Sequence, residues 1–149
     1  MRDGFPLGKG PLVMIVMFII AAAFVLRPEE ASDKENLDFW VFAATHYDEY
    51  KAREALFEAA HPGVDVRITN FGGTMHDKLL ASLLSNFGAP DLAEVEITSI
   101  GRFLKGRIEH VGFQDLRPRL EAEGWLEKHV EARFAPWSFQ GRIFGLPHD

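Results

Sequence analysis

The sequence contains no cysteine, which excludes disulfides, thiolate zinc sites, a cysteine nucleophile and any cysteine-linked lipid anchor. Cysteine usage therefore says nothing about redox compartment. A basic excess is missing too: 16 Lys and Arg against 22 Asp and Glu leave a formal net charge of -6. Affinity for phosphate backbones needs clustered cations, and these are scattered among acids, so nucleic acid is not an expected partner. No G-x-S-x-G is present, and no phosphate-binding loop follows a strand. Gly72-Gly73-Thr74 lacks the lysine such a loop needs and reads as a turn and helix cap. The six histidines, His46, His61, His76, His110, His129 and His148, show no pairing at the three-to-five-residue spacing of a local zinc motif. Neither a metal site nor a cofactor is expected. His61 precedes Pro62-Gly63, where capping the last carbonyls of a helix suits it better. Internal repeats and low-complexity stretches are absent.

What is present begins with an apolar run. Residues 12–26 (LVMIVMFIIAAAFVL) carry no polar side chain, with Arg2 and Lys9 ahead of them and Arg27 behind. Residues 1–27 therefore read as a signal peptide or an N-terminal membrane anchor. The first fits the length of the run and the Ala21/Ala23 pair; the second fits residues 10–26, at the short edge of the roughly 17 to 25 residues that span a bilayer. Either places the remainder outside the cytoplasm. Residues 28–36 (PEEASDKEN) are charged and without apolar periodicity, a linker ahead of a folded region that starts near Leu37.

From there strands and helices alternate. Residues 37–42 (LDFWVF) read as a buried strand and residues 43–47 as a loop. A helix opens at Asp48 with Ala52, Leu56, Ala59 and Ala60 on its inward face, and Pro62-Gly63 ends it. Val64, Val66 and Ile68 alternate with polar residues as in a second strand. After a turn at Phe71-Gly72-Gly73, Thr74 and Asp77 form a capping box. Met75, Leu79, Leu80, Leu83, Leu84 and Phe87 recur at helical spacing up to the stop at Asn86, Gly88 and Pro90. Residues 92–97 (LAEVEI) give a third strand, and Ser99 caps a short helix that buries Ile100, Phe103 and Leu104. A helical stretch over 120–133, interrupted at Gly124, and a short hairpin around Gly141 complete the chain. The fold class is α/β with a mainly parallel sheet, which brings loops 43–47, 71–74 and 97–99 to the C-terminal strand edge where such sheets bind ligands.

Glu94 and Glu96 fall on one face of the third strand if its alternation holds, so a membrane-tethered enzyme using the pair is one reading. The other leaves Glu94 as a solvated strand position and gives Glu96 hydrogen bonds to a ligand's hydroxyls. Trp40, Tyr47, Trp125 and Trp137 could stack on the apolar face of a sugar ring. Trp40 sits inside a strand and suits a core; Tyr47 sits beside Thr45 and His46 and suits a ligand.

Several segments together carry a resemblance: LDFW from Leu37, FEAAHPGVDVRIT from Phe57, HDKLLASLLSNFGAPDLAEVE from His76, DLRP from Asp115 and FQGRIFGLPHD from Phe139. The helix followed by G-x-P-D-L and a strand, then the terminal G-x-I-x-G-L-P, in this order and spacing, resemble the extracellular solute-binding proteins of ABC importers. The likeness is to the sugar-binding cluster that includes maltose-binding proteins, and it spans residues 37–149. It implies a three-layer periplasmic-binding-protein-like lobe, a binder and not an enzyme, with a small-molecule solute, a sugar, as ligand and an ABC permease as partner. By position it implies ligand contacts from Thr45, His46, Tyr47, Gly73, Glu96, Thr98, Ser99, His148 and Asp149. Family members are more than twice as long, so the expectation is an N-terminal lobe, truncated, whose second lobe and opposing cleft wall are missing.

Overall fold

A computed structural model describes residues 10–25 and 35–148. Contacts divide the chain into two units, Met1–Asp33 and Lys34–Asp149. In the first, Gly10–Val25 forms helix α1, apolar on all sides and so without an amphipathic face. Its 16 residues rise about 24 Å at 1.5 Å each, short of a hydrocarbon core of about 30 Å. No helix among the described residues is long and apolar enough to cross a membrane.

The second unit holds a three-stranded parallel sheet in the order β2-β1-β3, made of Glu35–Val41 (β1), Val64–Asn70 (β2) and Leu92–Ala93 (β3). Most of the charged segment predicted as a linker lies outside the described residues, but its last two, Glu35 and Asn36, belong to β1. They pair with Val64 and Asp65, and Glu35 donates its N–H to the carbonyl of Gly63 at 2.8 Å. Ladder bonds there need no apolar side chains, because the strand end is exposed to water.

Helix α2 is Ala44–Ala60 and helix α3 is Met75–Ser85. They cover opposite faces of the central strand. Phe39 of β1 meets Tyr50 of α2 with ring centroids 4.9 Å apart, whereas Trp40 packs with Met75 and Leu79 of α3 and with Phe103. This is the three-layer arrangement that alternating elements demand.

The α3 side follows the sequence pattern only in part. Met75 and Leu79 are buried, with Leu80 and Leu83 packed against them, but Leu84 is 80% and Phe87 84% exposed. Asn86 adopts a left-handed conformation (φ 53°) that ends the helix, and Asn86 and Phe87 donate back to Leu83 and Ser82. The chain has thus turned away before Phe87 can reach the core. The predicted capping box does not form either. A 3₁₀ turn, Gly72–Thr74, runs straight into α3, so Thr74 is already helical and its hydroxyl donates to the carbonyl of Phe71 at 2.8 Å. Asp77 pairs instead with Arg102 at 2.5 Å. Ser99 likewise makes no side-chain cap, being itself in helical conformation ahead of the 3₁₀ turn Ile100–Arg102.

On the α2 side the prediction is overturned. The helix begins at Ala44, four residues early, and its chosen apolar face is not the inward one: Leu56 is 72% exposed. Tyr50, Glu54 and Glu58 turn toward the sheet, and the Glu58 carboxylate accepts the Val66 N–H at 3.0 Å. Polar residues that bond to a strand edge satisfy a backbone donor as an apolar stripe cannot. As predicted, His61 closes this helix, its Nδ1 3.0 Å from the carbonyl of Phe57.

Beyond the sheet, the chain returns through two short helices, Arg117–Ala122 (α4) and Trp125–Lys128 (α5), separated by Gly124 (φ 67°). A hairpin of Ser138–Phe139 (β4) and Arg142–Ile143 (β5) follows. Its two turn residues, Gln140 and Gly141, both have positive φ (47° and 83°), as a type I′ turn requires. The resemblance-bearing motifs have visible structural work. Asp91 accepts the Asp38 N–H at 2.8 Å and registers β3 on β1. Asp115 accepts from the N–H groups of both Arg117 and Ile143, joining α4 to the hairpin. Gly145 lies under the Trp137 ring, where an added Cβ would come within 2.8 Å of it.

Candidate functional site

In a β2-β1-β3 sheet the first connection leaves β1 toward one edge and the second crosses back past it, so a crevice opens between β1 and β3 at their C-terminal ends. The side chains that converge there are organised by Glu94. Its own N–H continues the ladder to the carbonyl of Trp40 at 2.8 Å, but β3 ends at Ala93, so the predicted strand over 92–97 is cut to two residues. The cause is a substitution of partners. The Phe42 N–H, which a continuing parallel ladder would bond to the backbone carbonyl of Glu94, goes to Glu94 Oε2 at 3.2 Å.

With the strand ended, the same-face alternation of Glu94 and Glu96 does not exist. Nor is Glu94 a solvated position: its side chain is 3% exposed. Its second oxygen, Oε1, contacts His46 Nδ1 directly and lies 3.6 Å from His148 Nε2. The two imidazoles meet edge to face with centroids 5.3 Å apart. His46 owes its place to the early start of α2, whose first turn overhangs the β3 end. The Tyr50 hydroxyl, one turn further, titrates above its ordinary value, chiefly because it is buried and secondly because Glu94 is near.

Next to this trio stands a further histidine, His76, which is buried. His76 Nε2 accepts the Glu96 N–H at 3.1 Å, and burial pushes the ring below its usual pKa against the opposing pull of Glu96. It is therefore a neutral acceptor, protonated on Nδ1. The Phe42 ring stands between the histidines, 5.1 Å from His76 and 6.3 Å from His46.

Of the predicted site residues, the structure brings His46 and His148 into contact around Glu94 and sets Glu96 on the same strand edge through His76. Thr45 and Tyr47 lie in the first turn of α2, not in a loop. Gly73 lies in the 3₁₀ turn before α3, and Thr98 and Ser99 in the turn after Glu96, whose carbonyl accepts from Ser99. Asp149 lies outside the described residues. Sequence reasoning missed the roles of Glu94 as organiser and of His76 and Phe42 as its surroundings. A carboxylate directly after a short strand, opposite a strand-ending Phe-Ala-Ala, was the available signal.

Trp40 is buried as a core residue with Phe71 edge-on at 4.8 Å, and the Trp137 ring packs against Gly145. Trp125 lies outside this crevice, with Lys128 over its ring. A groove of about 540 Å³ runs between α2 and the sheet, walled by Leu37, Phe39, Ile68, Phe57 and Phe144 and reaching Glu94 and His148 at one end. Those apolar walls offer hydroxyl groups no partners, and the polar side chains that line the groove are Tyr50, Arg53 and Glu54 of α2 with Glu94 and His148, so these are the parts that suit a hydroxylated ligand.

No family model matches the chain. It is 30% identical over 138 residues to an arabinooligosaccharide-binding protein of Bacillus subtilis (strain 168), an alignment covering 91% of this chain and 31% of that protein. To a protein of the same name from Halalkalibacterium halodurans it is 32% identical over 115 residues, 75% of this chain and 25% of the relative. Among solved structures, the GacH receptor of Streptomyces glaucescens superimposes with a TM-score of 0.59 at 24% identity, over 74% of this chain and 28% of that one.

Fold and site edge together define a lobe of the periplasmic-binding-protein type. In sequence the chain resembles arabinooligosaccharide-binding proteins, and in fold it resembles the solved sugar-binding proteins of ABC transporters, of the maltose-binding-protein-like kind. It spans less than a third of the length of the curated relatives it matches.

Proposed function

We propose that this chain supplies one wall of a carbohydrate cleft in an extracytoplasmic solute-binding protein that serves an ABC permease. The observation that carries the reading is the convergence of hydrogen-bonding side chains at the β1/β3 crevice, in a chain 30% identical to an arabinooligosaccharide-binding protein. Arabinose-containing oligosaccharides are accordingly the first ligand class to test. Thr45, His46, Tyr47, Gly73, Glu96, Thr98, Ser99 and His148 form the wall, with Tyr47 as the stacking platform and Glu96 as an acceptor for hydroxyls. Binding without chemistry is part of the proposal. The remainder of a relative-length protein contributes the opposing wall, without which a sugar stays partly hydrated and weakly held.

Residues 1–27 direct export. The alignment to the Bacillus relative is long enough to run into the residues ahead of Glu35, and the apolar run 12–26 behind Arg2 and Lys9 is the targeting feature.

Saturation-transfer NMR suits a weak single wall. Arabino-oligosaccharide protons should receive saturation from the chain, less so from Tyr47→Ala or Glu96→Ala. An absence of transfer to any sugar in a panel that also includes malto- and manno-oligosaccharides would sink the carbohydrate reading.

A further inference from the structure

We propose that His46, Glu94 and His148 form a binding site for a divalent transition-metal ion of the zinc class. The three side chains come from the first turn of α2, the end of β3 and the segment after β5. Each offers one donor atom, and His46 Nδ1, Glu94 Oε1 and His148 Nε2 all lie within 4.8 Å of one another. Two neutral imidazoles and one carboxylate are the ligand set of open zinc sites, which keep a fourth position for water. His46 and Glu94 are 48 residues apart in sequence, so no local motif could announce the site.

Distances fit such an ion after a small adjustment. With metal–ligand bonds of about 2.0 to 2.2 Å in tetrahedral geometry, neighbouring donor atoms lie roughly 3.3 Å apart. His148 Nε2 and Glu94 Oε1 are at 3.6 Å. His46 and Glu94 touch directly, closer than two ligands of one ion, so loading needs the His46 ring to swing outward. That ring is 36% exposed and the His148 ring 51%, and neither is locked in a core. The ring must also carry its proton on Nε2 to leave Nδ1 free as a ligand.

Three features favour an ion over a hydrogen-bonded trio alone. Two ring nitrogens from segments far apart in sequence converge on the same Oε1, as the donor atoms around one ion do. The other oxygen is fixed by the Phe42 N–H, the outer bond that orients a ligating carboxylate. Finally, the carboxylate is buried while both imidazoles reach solvent. A buried anion needs a positive partner, and imidazoles provide one only when protonated. A divalent ion provides it with both rings neutral, and enters through the exposed rim.

The test uses the metal alone and does not depend on any sugar. Chelator-stripped full-length chain, held in mild detergent, is titrated with Zn²⁺ by calorimetry, and its melting temperature is followed as Zn²⁺ rises. One ion per chain is expected. Affinity should fall at least about tenfold in His148→Ala and in His46→Ala, while His110→Ala and His129→Ala bind as the native chain does. His148 is half-exposed at the end of the described chain, so its variant is the one whose fold is least at risk. Absence of saturable Zn²⁺ binding by the native chain overturns the proposal. So does binding that survives His148→Ala and His46→Ala in folded protein.

Discussion

The two faces of the central strand are built differently. Toward α3, β1 presents Trp40 to a closed cluster of Met75, Leu79 and Phe103. Toward α2 it presents Leu37 and Phe39 to a groove of about 540 Å³, and α2 has no buried residue at all. The first helix is held by apolar packing, the second by directed bonds: Glu58 to the Val66 N–H, His46 to Glu94, and the ring contact of Tyr50 with Phe39. Packing is indifferent to orientation, whereas hydrogen bonds fix a side chain in one place. The closed face supplies stability, and the open face positions the crevice residues.

If that division is right, the largest loss falls on the closed face. Leu79→Ala should cost about 2 to 5 kcal/mol of unfolding free energy, since the cavity is walled by residues that cannot collapse into it. Urea unfolding measures it, and a cost below about 1 kcal/mol would mean that the α3 face is as loose as the α2 face. Next comes the organiser of the crevice. Glu94→Ala strands the part-buried Phe42 N–H and removes the contact of His46, which should cost about 1 to 3 kcal/mol. Glu94→Gln retains an acceptor for Phe42 and should recover most of that. A Gln variant no better than Ala would show that the charge, not the hydrogen bond, holds the β3 end.

The third effect depends on pH. His76 has a folded-state pKa below its unfolded value of about 6.5. Above pH 6.5 both states are neutral and the buried acceptor bond to Glu96 is fully present. As pH falls from 6.5 through the lowered folded value, the unfolded chain binds the proton first and stability drops. His76→Gln keeps an acceptor without a proton to gain. Its stability should therefore lie closer to flat between pH 7 and 5, and a native-like acid slope in the variant would assign the loss to other groups.

The sequence and the structure part company along the same division. Strand, helix, strand, the α3 core pair Met75 and Leu79, and the G-x-P-D-L and G-x-I-x-G-L-P motifs were legible because each rests on local pattern or local turn chemistry. The α2 face was not. A period drawn through Ala52, Leu56 and Ala59 selects the apolar side, while the sheet takes Tyr50, Glu54 and Glu58 because an edge N–H and the crevice need polar partners. At the site, His46 and His148 were named by position in a resemblance. Glu94, which joins them, was read as exposed or as half of a catalytic pair, because a two-residue strand that ends on its own side chain has no signature in hydrophobic alternation.

The smallest effect is the sharpest test of which side of α2 faces in. Leu56 is the largest aliphatic residue of that helix and the natural first choice for its core position, yet it is among the most exposed. Removing an apolar side chain already in water forfeits little transfer free energy, so Leu56→Ala should change stability by no more than about 0.5 kcal/mol. Leucine and alanine also differ little in helix propensity, which leaves no local term to mask a tertiary one. The same substitution at Leu79 removes the same atoms, so the pair compares environment alone. Equal losses at both positions would mean that Leu56 is covered in solution, and the apolar spacing of α2 would then describe a buried face after all.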